Sequence, residues 1–132
     1  MRKTLLVAAL AATAAACTSW VPPGPMPGSV ANTSWRVAAI NGRATPPVGD
    51  FFMNFQASTF GAKFGCNGIG ADYVQRGFTI DPGPTTGTLM ACPDMSFESQ
   101  GNAVLQRDMR TIWNGPANLR LVNSNGTIDL RR

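Results

Sequence analysis

The chain has 132 residues, with 11 lysines and arginines against 7 aspartates and glutamates, three cysteines and no histidine. The missing histidine excludes Ser-His-Asp and Cys-His nucleophiles, histidine acid–base chemistry at neutral pH and histidine-ligated metal centres. The length beyond residue 32, about 100 residues, supports one core and no second domain.

Residues 1–16 read as an export signal. Arg2 and Lys3 supply the positive start, Leu5 to Ala12 an apolar core, and Ala14-Ala15-Ala16 a small-residue cleavage region. The 12 residues from Leu5 to Ala16 are too few to span a bilayer as a helix, which takes about 20. Two outcomes of cleavage are open. Ala14-x-Ala16 satisfies an ordinary signal peptidase, which would leave Cys17 as a spare thiol. Ala14-Ala15-Ala16-Cys17 also resembles a bacterial lipobox, with Ala14 where leucine is usual, and Cys17 is the expected lipidation site. Removing the leader takes Arg2 and Lys3 and no acid, so the net charge falls from +4 to about +2. A small excess of this kind gives no sign of a clustered basic face, and nucleic acid is not an expected partner.

Residues 17–32 are expected to be the lipid-attachment cysteine and a tether. Pro22, Pro23, Pro25 and Pro27 stiffen it, and periodic apolar residues are missing. Fifteen such residues at roughly 3.1 Å each would reach about 45 Å. The folded domain is expected over residues 33–132.

Within the domain, period-2 alternation dominates. Trp35, Val37 and Ala39 share one face, and Asn41-Gly42 follows as a turn. Phe51, Met53 and Phe55 form a second strand, and Phe60, Ala62, Phe64 and Cys66 a third. Asn67-Gly68-Ile69-Gly70 breaks that run. Short strands are expected near residues 71–74, 78–80 and 87–90. Phe97, Gly101, Val104, Leu105, Met109 and Ile112 recur at helical spacing, which predicts one amphipathic helix over about 95–113. Asp94 or Ser96 can cap it, Glu98 suits its first turn, and Asn114-Gly115-Pro116 ends it. Leu119 and Leu121 should pair with Ile128 and Leu130 across Asn125-Gly126. The expected fold is mainly β (α+β): an antiparallel barrel-like sheet with one packed helix.

Cys66 and Cys92 lie 26 residues apart. In an exported protein of this size the pair is expected as a disulfide, with two buried free thiols as the other reading. Two cysteines without histidine do not complete a tetrahedral site, so no metal and no cofactor are expected. A Ser–Lys nucleophile would need Lys63, the only lysine beyond the leader, and Lys63 alternates outward. The carboxylates scatter near turns and the helix, where turn and cap roles account for them. Gly65-x-x-Gly68-x-Gly70 precedes no helix and is not a phosphate loop.

Thr33-Ser34-Trp35-Arg36-Val37, Gly65-Cys66-Asn67-Gly68, Thr88-Leu89-Met90-Ala91-Cys92-Pro93, Glu98 and Leu119-Arg120-Leu121 occur in an order that resembles the META/HslJ-like domain family. The match covers nearly all of residues 33–130. One departure is Ile69-Gly70, where the family commonly carries a bulky aromatic. The resemblance implies a small mixed β protein, often an envelope lipoprotein. Members are linked to heat-shock induction, parasite virulence and novobiocin resistance. It implies no catalytic residues.

The expected function is therefore that of a non-enzymatic, lipid-anchored envelope protein that binds another component or serves under stress. It would face the periplasm, with an unidentified envelope protein as partner. Thr18 after Cys17 favours the outer membrane by analogy with enteric sorting. Two rivals stand beside it. Residues 58–64 loosely match a loop of small lysozyme-inhibitor lipoproteins, and a barrel could carry an apolar small ligand.

Overall fold

Alternating apolar and polar residues make most of this molecule a single antiparallel sheet. A computed structural model of the chain describes residues 28–132. The strands before the helix are β1 (Thr33–Ile40), β2 (Arg43–Ala44), β3 (Phe51–Phe55), β4 (Thr59–Phe64), β5 (Gly68–Arg76), β6 (Thr79–Pro82) and β7 (Thr86–Gly87). Helix α1 (Ser96–Val104) follows, then β8 (Met109–Trp113), β9 (Asn118–Asn123) and β10 (Gly126–Arg131). Cys17 and the expected leader lie outside the described residues.

Eight strands close into a barrel in the order β1-β3-β4-β5-β6-β8-β9-β10, and β10 pairs back onto β1. The short β2 and β7 add to β1 and β5 outside this ring. A barrel of eight strands has an interior just wide enough for side chains to fill. Here Val37, Met53, Phe60, Phe64, Ile80 and Leu121 are among those that fill it. Trp35 and Trp113 meet edge to face at 5.7 Å, and Phe55 and Tyr73 at 5.4 Å. The packed body begins ahead of β1, because Val30 is fully buried.

Alternation locates β1, β3, β4, β9 and β10, but a bulge alters β1. The register against β10 shifts between Val37 and Ala39, so Ile40 is buried in place of Ala39. One extra residue in a strand reverses its inward phase. The third run also stops sooner than the pattern suggests. Gly65 has φ 110°, which turns the chain at the end of β4 and takes Cys66 out of the strand. Gly68 and Gly70 do not break the sheet but belong to β5. The strand expected over 87–90 shrinks to Thr86–Gly87.

The helix is half the expected length. It ends at Val104, and Met109–Trp113 is strand β8, paired with β6 and β9. Met109 and Ile112 are three apart, which fits a helix, yet the structure buries Met109 and Thr111 and leaves Ile112 46% exposed. Period 2 wins in this segment, where β-branched Thr111 and Ile112 and aromatic Trp113 favour a strand. Asn114-Gly115-Pro116 therefore turns β8 into β9. Asp94 accepts the Ser96 N–H at 2.9 Å, and the N-cap position is Met95. Gly101 lets the helix sit directly on Phe64, since a Cβ there would come within 2.5 Å of the ring.

Two more Asn-Gly pairs, at 41–42 and 125–126, lie in hairpins of different geometry. Asn41 and Gly42 have φ of 51° and 78° and form the two-residue loop joining β1 to β2. In the last hairpin Ser124-Asn125 makes the loop, and Gly126 already pairs with Asn123. Asn125 Nδ2 donates to Ala103 O at 2.8 Å and Asn123 Nδ2 to Val104 O at 2.7 Å, closing the last turn of α1.

Tyr73, the only tyrosine in the chain, donates its hydroxyl to Gln56 O at 2.5 Å. Burial pushes its phenol above the usual 10.0. The folded state thus holds this proton more tightly than the unfolded state does. The resulting stability is complete below pH 10.0 and is lost as pH rises through the raised value. Ultraviolet titration of tyrosinate should show a midpoint above 10.0 in the folded protein and near 10.0 in denaturant. Equal midpoints would contradict the burial.

Candidate functional site

Three segments meet beside one end of α1. The first is the Gly65–Gly68 turn, the second is Thr88–Cys92, and the third is the first turn of the helix. Cys66 and Cys92 are joined by a disulfide with Cα atoms 6.4 Å apart. Closing a loop of that length stabilises a fold by roughly 3–4 kcal/mol in the chain-entropy model.

Asn67 connects all three segments. It is 7% exposed, and its Oδ1 accepts the Met90 N–H at 2.6 Å and the Thr88 hydroxyl at 3.0 Å. Its Nδ2 donates to Met90 O at 3.0 Å and to Glu98 Oε2 at 3.2 Å. Its backbone N–H donates to Glu98 Oε1 at 2.8 Å. Glu98 is 4% exposed, and no cation pairs with it among the described residues. Its carboxylate is met by the two Asn67 donors and by its place in the first turn of α1, where the helix dipole favours negative charge. Across the same seam Thr88 N donates to Gly68 O at 3.0 Å. Gly87 permits this approach, because a Cβ on it would sit 2.7 Å from Gly68 O.

The outcome is a loop held rigid with apolar side chains turned outward. Both backbone polar groups of Met90 are bound to Asn67, yet Leu89 is 99% exposed and the Met90 side chain faces solvent. A cleft of about 290 Å³ lies between this loop and α1, lined by Ile69, Thr88, Glu98, Asn102 and Gln106. Asn102 Oδ1 is buried and finds no partner among the described residues.

The other candidate side chains are occupied elsewhere. Lys63 faces outward on β4 and pairs with Asp50 at 2.9 Å. Arg76 meets Asp81 at 3.6 Å and Arg120 meets Asp129 at 2.6 Å. Among the described residues no three acidic or cysteine side chains gather as metal ligands would. Residues 58–64, the segment likened to an inhibitor loop, lie mostly on β4. Alternation and helix-start rules assign Asn67 to a break and Glu98 to a dipole role. Neither rule finds their contact, which spans 31 residues of sequence.

Replacing Asn67 by alanine removes four side-chain hydrogen bonds and leaves the buried Glu98 carboxylate with only the backbone N–H of residue 67 as its donor from this loop. It should cost about 2–4 kcal/mol in urea unfolding. Asn67→Ala and Glu98→Ala combined should cost less than the sum of the two, by about 1–2 kcal/mol. Strict additivity would show that the two side chains do not act together.

Comparison with known proteins gives the lineage. The META domain model matches residues 28–131. No curated protein sequence matches the chain. An NMR structure of a protein from Burkholderia xenovorans aligns with a TM-score of 0.60 at 22% identity, covering 100% of this chain and 98% of that one. A second NMR structure aligns at 0.66 and 11% identity, covering 76% of this chain and 88% of the other. At such identities the two likenesses speak for the fold alone. Since the match to the family spans the barrel, the helix and both cysteine loops, the chain belongs to the META domain family.

Proposed function

We propose that the protein is a non-enzymatic lipoprotein of the bacterial cell envelope, anchored through an acyl chain on Cys17, whose META domain is a binding module. The observation that carries the reading is the order of segments. A charged start and apolar run lead into Ala14-Ala15-Ala16-Cys17, a proline-rich stretch follows, and the barrel comes last. An extended tether would hold the barrel clear of lipid head groups, on the periplasmic side. The role as a binder draws support from the disulfide-braced loop, which fixes backbone and presents Leu89 and Met90 to solvent. Such exposed, rigid loops on a scaffold are where recognition concentrates. The family likeness favours a role under stress.

Intact mass of the membrane-extracted protein tests the anchor. The expected species lacks residues 1–16 and carries diacylglycerol and a further acyl group on Cys17. Cys17→Ser should release the domain from membranes into the soluble fraction. An unmodified chain beginning at Cys17, or a Cys17→Ser protein that stays with the membrane, would contradict the proposal.

A further inference from the structure

One face of the barrel gathers the positive charge. Arg36 on β1, Arg110 on β8 and Arg120 on β9 point outward between buried neighbours, and Arg131 on β10 is exposed beside buried Leu130. Asp129 is the only acid on these four strands, and it is already taken by Arg120 at 2.6 and 3.2 Å. Ring closure sets Arg36 directly opposite Arg131. Like charges at opposed positions on a sheet destabilise it. No carboxylate relieves this pair among the described residues, and Arg36 donates only to Pro46 O, at 2.6 Å.

A groove of about 800 Å³ runs across this face. Ala38, Ala39, Ala44 and Gly42 line it with small residues, and Arg36, Arg120 and Arg131 add positive charge that Asp129 offsets only in part. Half-exposed Ile112 adds an apolar wall. Trp113 also lines the groove, and its buried indole N–H has no acceptor among the described residues. The lining spans β8, β9, β10, β1 and β2, a width of about 19 Å at the usual strand spacing, which matches about six residues of extended chain.

We propose that this groove docks an extended acidic segment of a partner protein. A concave track with small residues and one apolar wall suits a polypeptide strand better than a flat bilayer surface. The chain's own first 27 residues cannot supply the charge, since they contain no Asp or Glu. Carboxylates entering the groove would relieve the Arg36–Arg131 opposition that the fold otherwise carries. The inference rests on the reading of this protein as a binding module, and it does not depend on the anchor at Cys17.

The test uses the full Cys17→Ser chain and hexaglutamate as probe, followed by amide NMR at about 0.05 M salt, where screening is weak. Saturable shifts should map to β1, β2 and β8–β10. Arg131→Glu places a carboxylate opposite Arg36, so it should hold or raise the unfolding midpoint while weakening hexaglutamate binding about tenfold. Arg107→Glu makes the same change in net charge on the loop after α1 and should leave affinity within about twofold. Absent or scattered shifts would overturn the proposal, as would equal losses from Arg131→Glu and Arg107→Glu. So would tighter binding at the same amides by phosphatidylglycerol vesicles or by a single-stranded oligonucleotide. The mass measurement at Cys17 reads the anchor separately, so either idea can fail alone.

Discussion

The pairing of β10 with β1 is the constraint on which the rest depends. It joins the last strand to the first and turns an open sheet into a ring, leaving none of the eight ring strands as an edge. The closed ring defines the interior that Trp35, Phe64 and Leu121 fill. It also settles which outward residues are neighbours. Arg36 and Arg131 are 95 positions apart in the chain and stand side by side only because the seam closes there. Asn41 holds one end of the seam, donating its N–H to Thr127 O and accepting the Thr127 N–H, each at 2.9 Å.

A second constraint works at the helix. A nine-residue helix is marginal alone in water and needs tertiary contacts to persist. Gly101 against Phe64 brings it onto the barrel, and Asn123 and Asn125 close its last turn. Glu98 fixes its first turn to Asn67. The disulfide and Asn67 hold the same pair of loops by different physics. The covalent link limits the unfolded chain, and the amide satisfies buried polar groups in the folded one. Because both act on one seam, Leu89 and Met90 are displayed on backbone that is fixed rather than loose.

Much of the barrel is legible in the sequence because one face of each strand is buried. Phe60, Ala62 and Phe64, or Leu119 and Leu121 opposite Ile128 and Leu130, show their pairing by alternation alone. The bulge at Val37–Ala39 leaves no such mark, because alanine fits inside or outside. Met109–Trp113 satisfies two periods at once, and no glycine or proline separates it from α1. The Asn67–Glu98 contact and the arginine face are of another kind. Each depends on which strands become neighbours, and local patterns carry no such knowledge. Alternation does place Arg36, Arg120 and Arg131 outward, and only the register brings them together.

Core and surface charge meet at the β1–β10 seam, where closure supplies both the packed interior and the charged groove. Amide hydrogen exchange across β1 and β10 tests this most directly. The inter-strand amides of these two strands should exchange as slowly as those of β4 and β5 in the middle of the sheet, and all should open together in a global unfolding. Exchange in β1 and β10 faster by orders of magnitude, at edge-like rates, would mean that the ring is open and that neither the packed interior nor the opposed arginines exist as described.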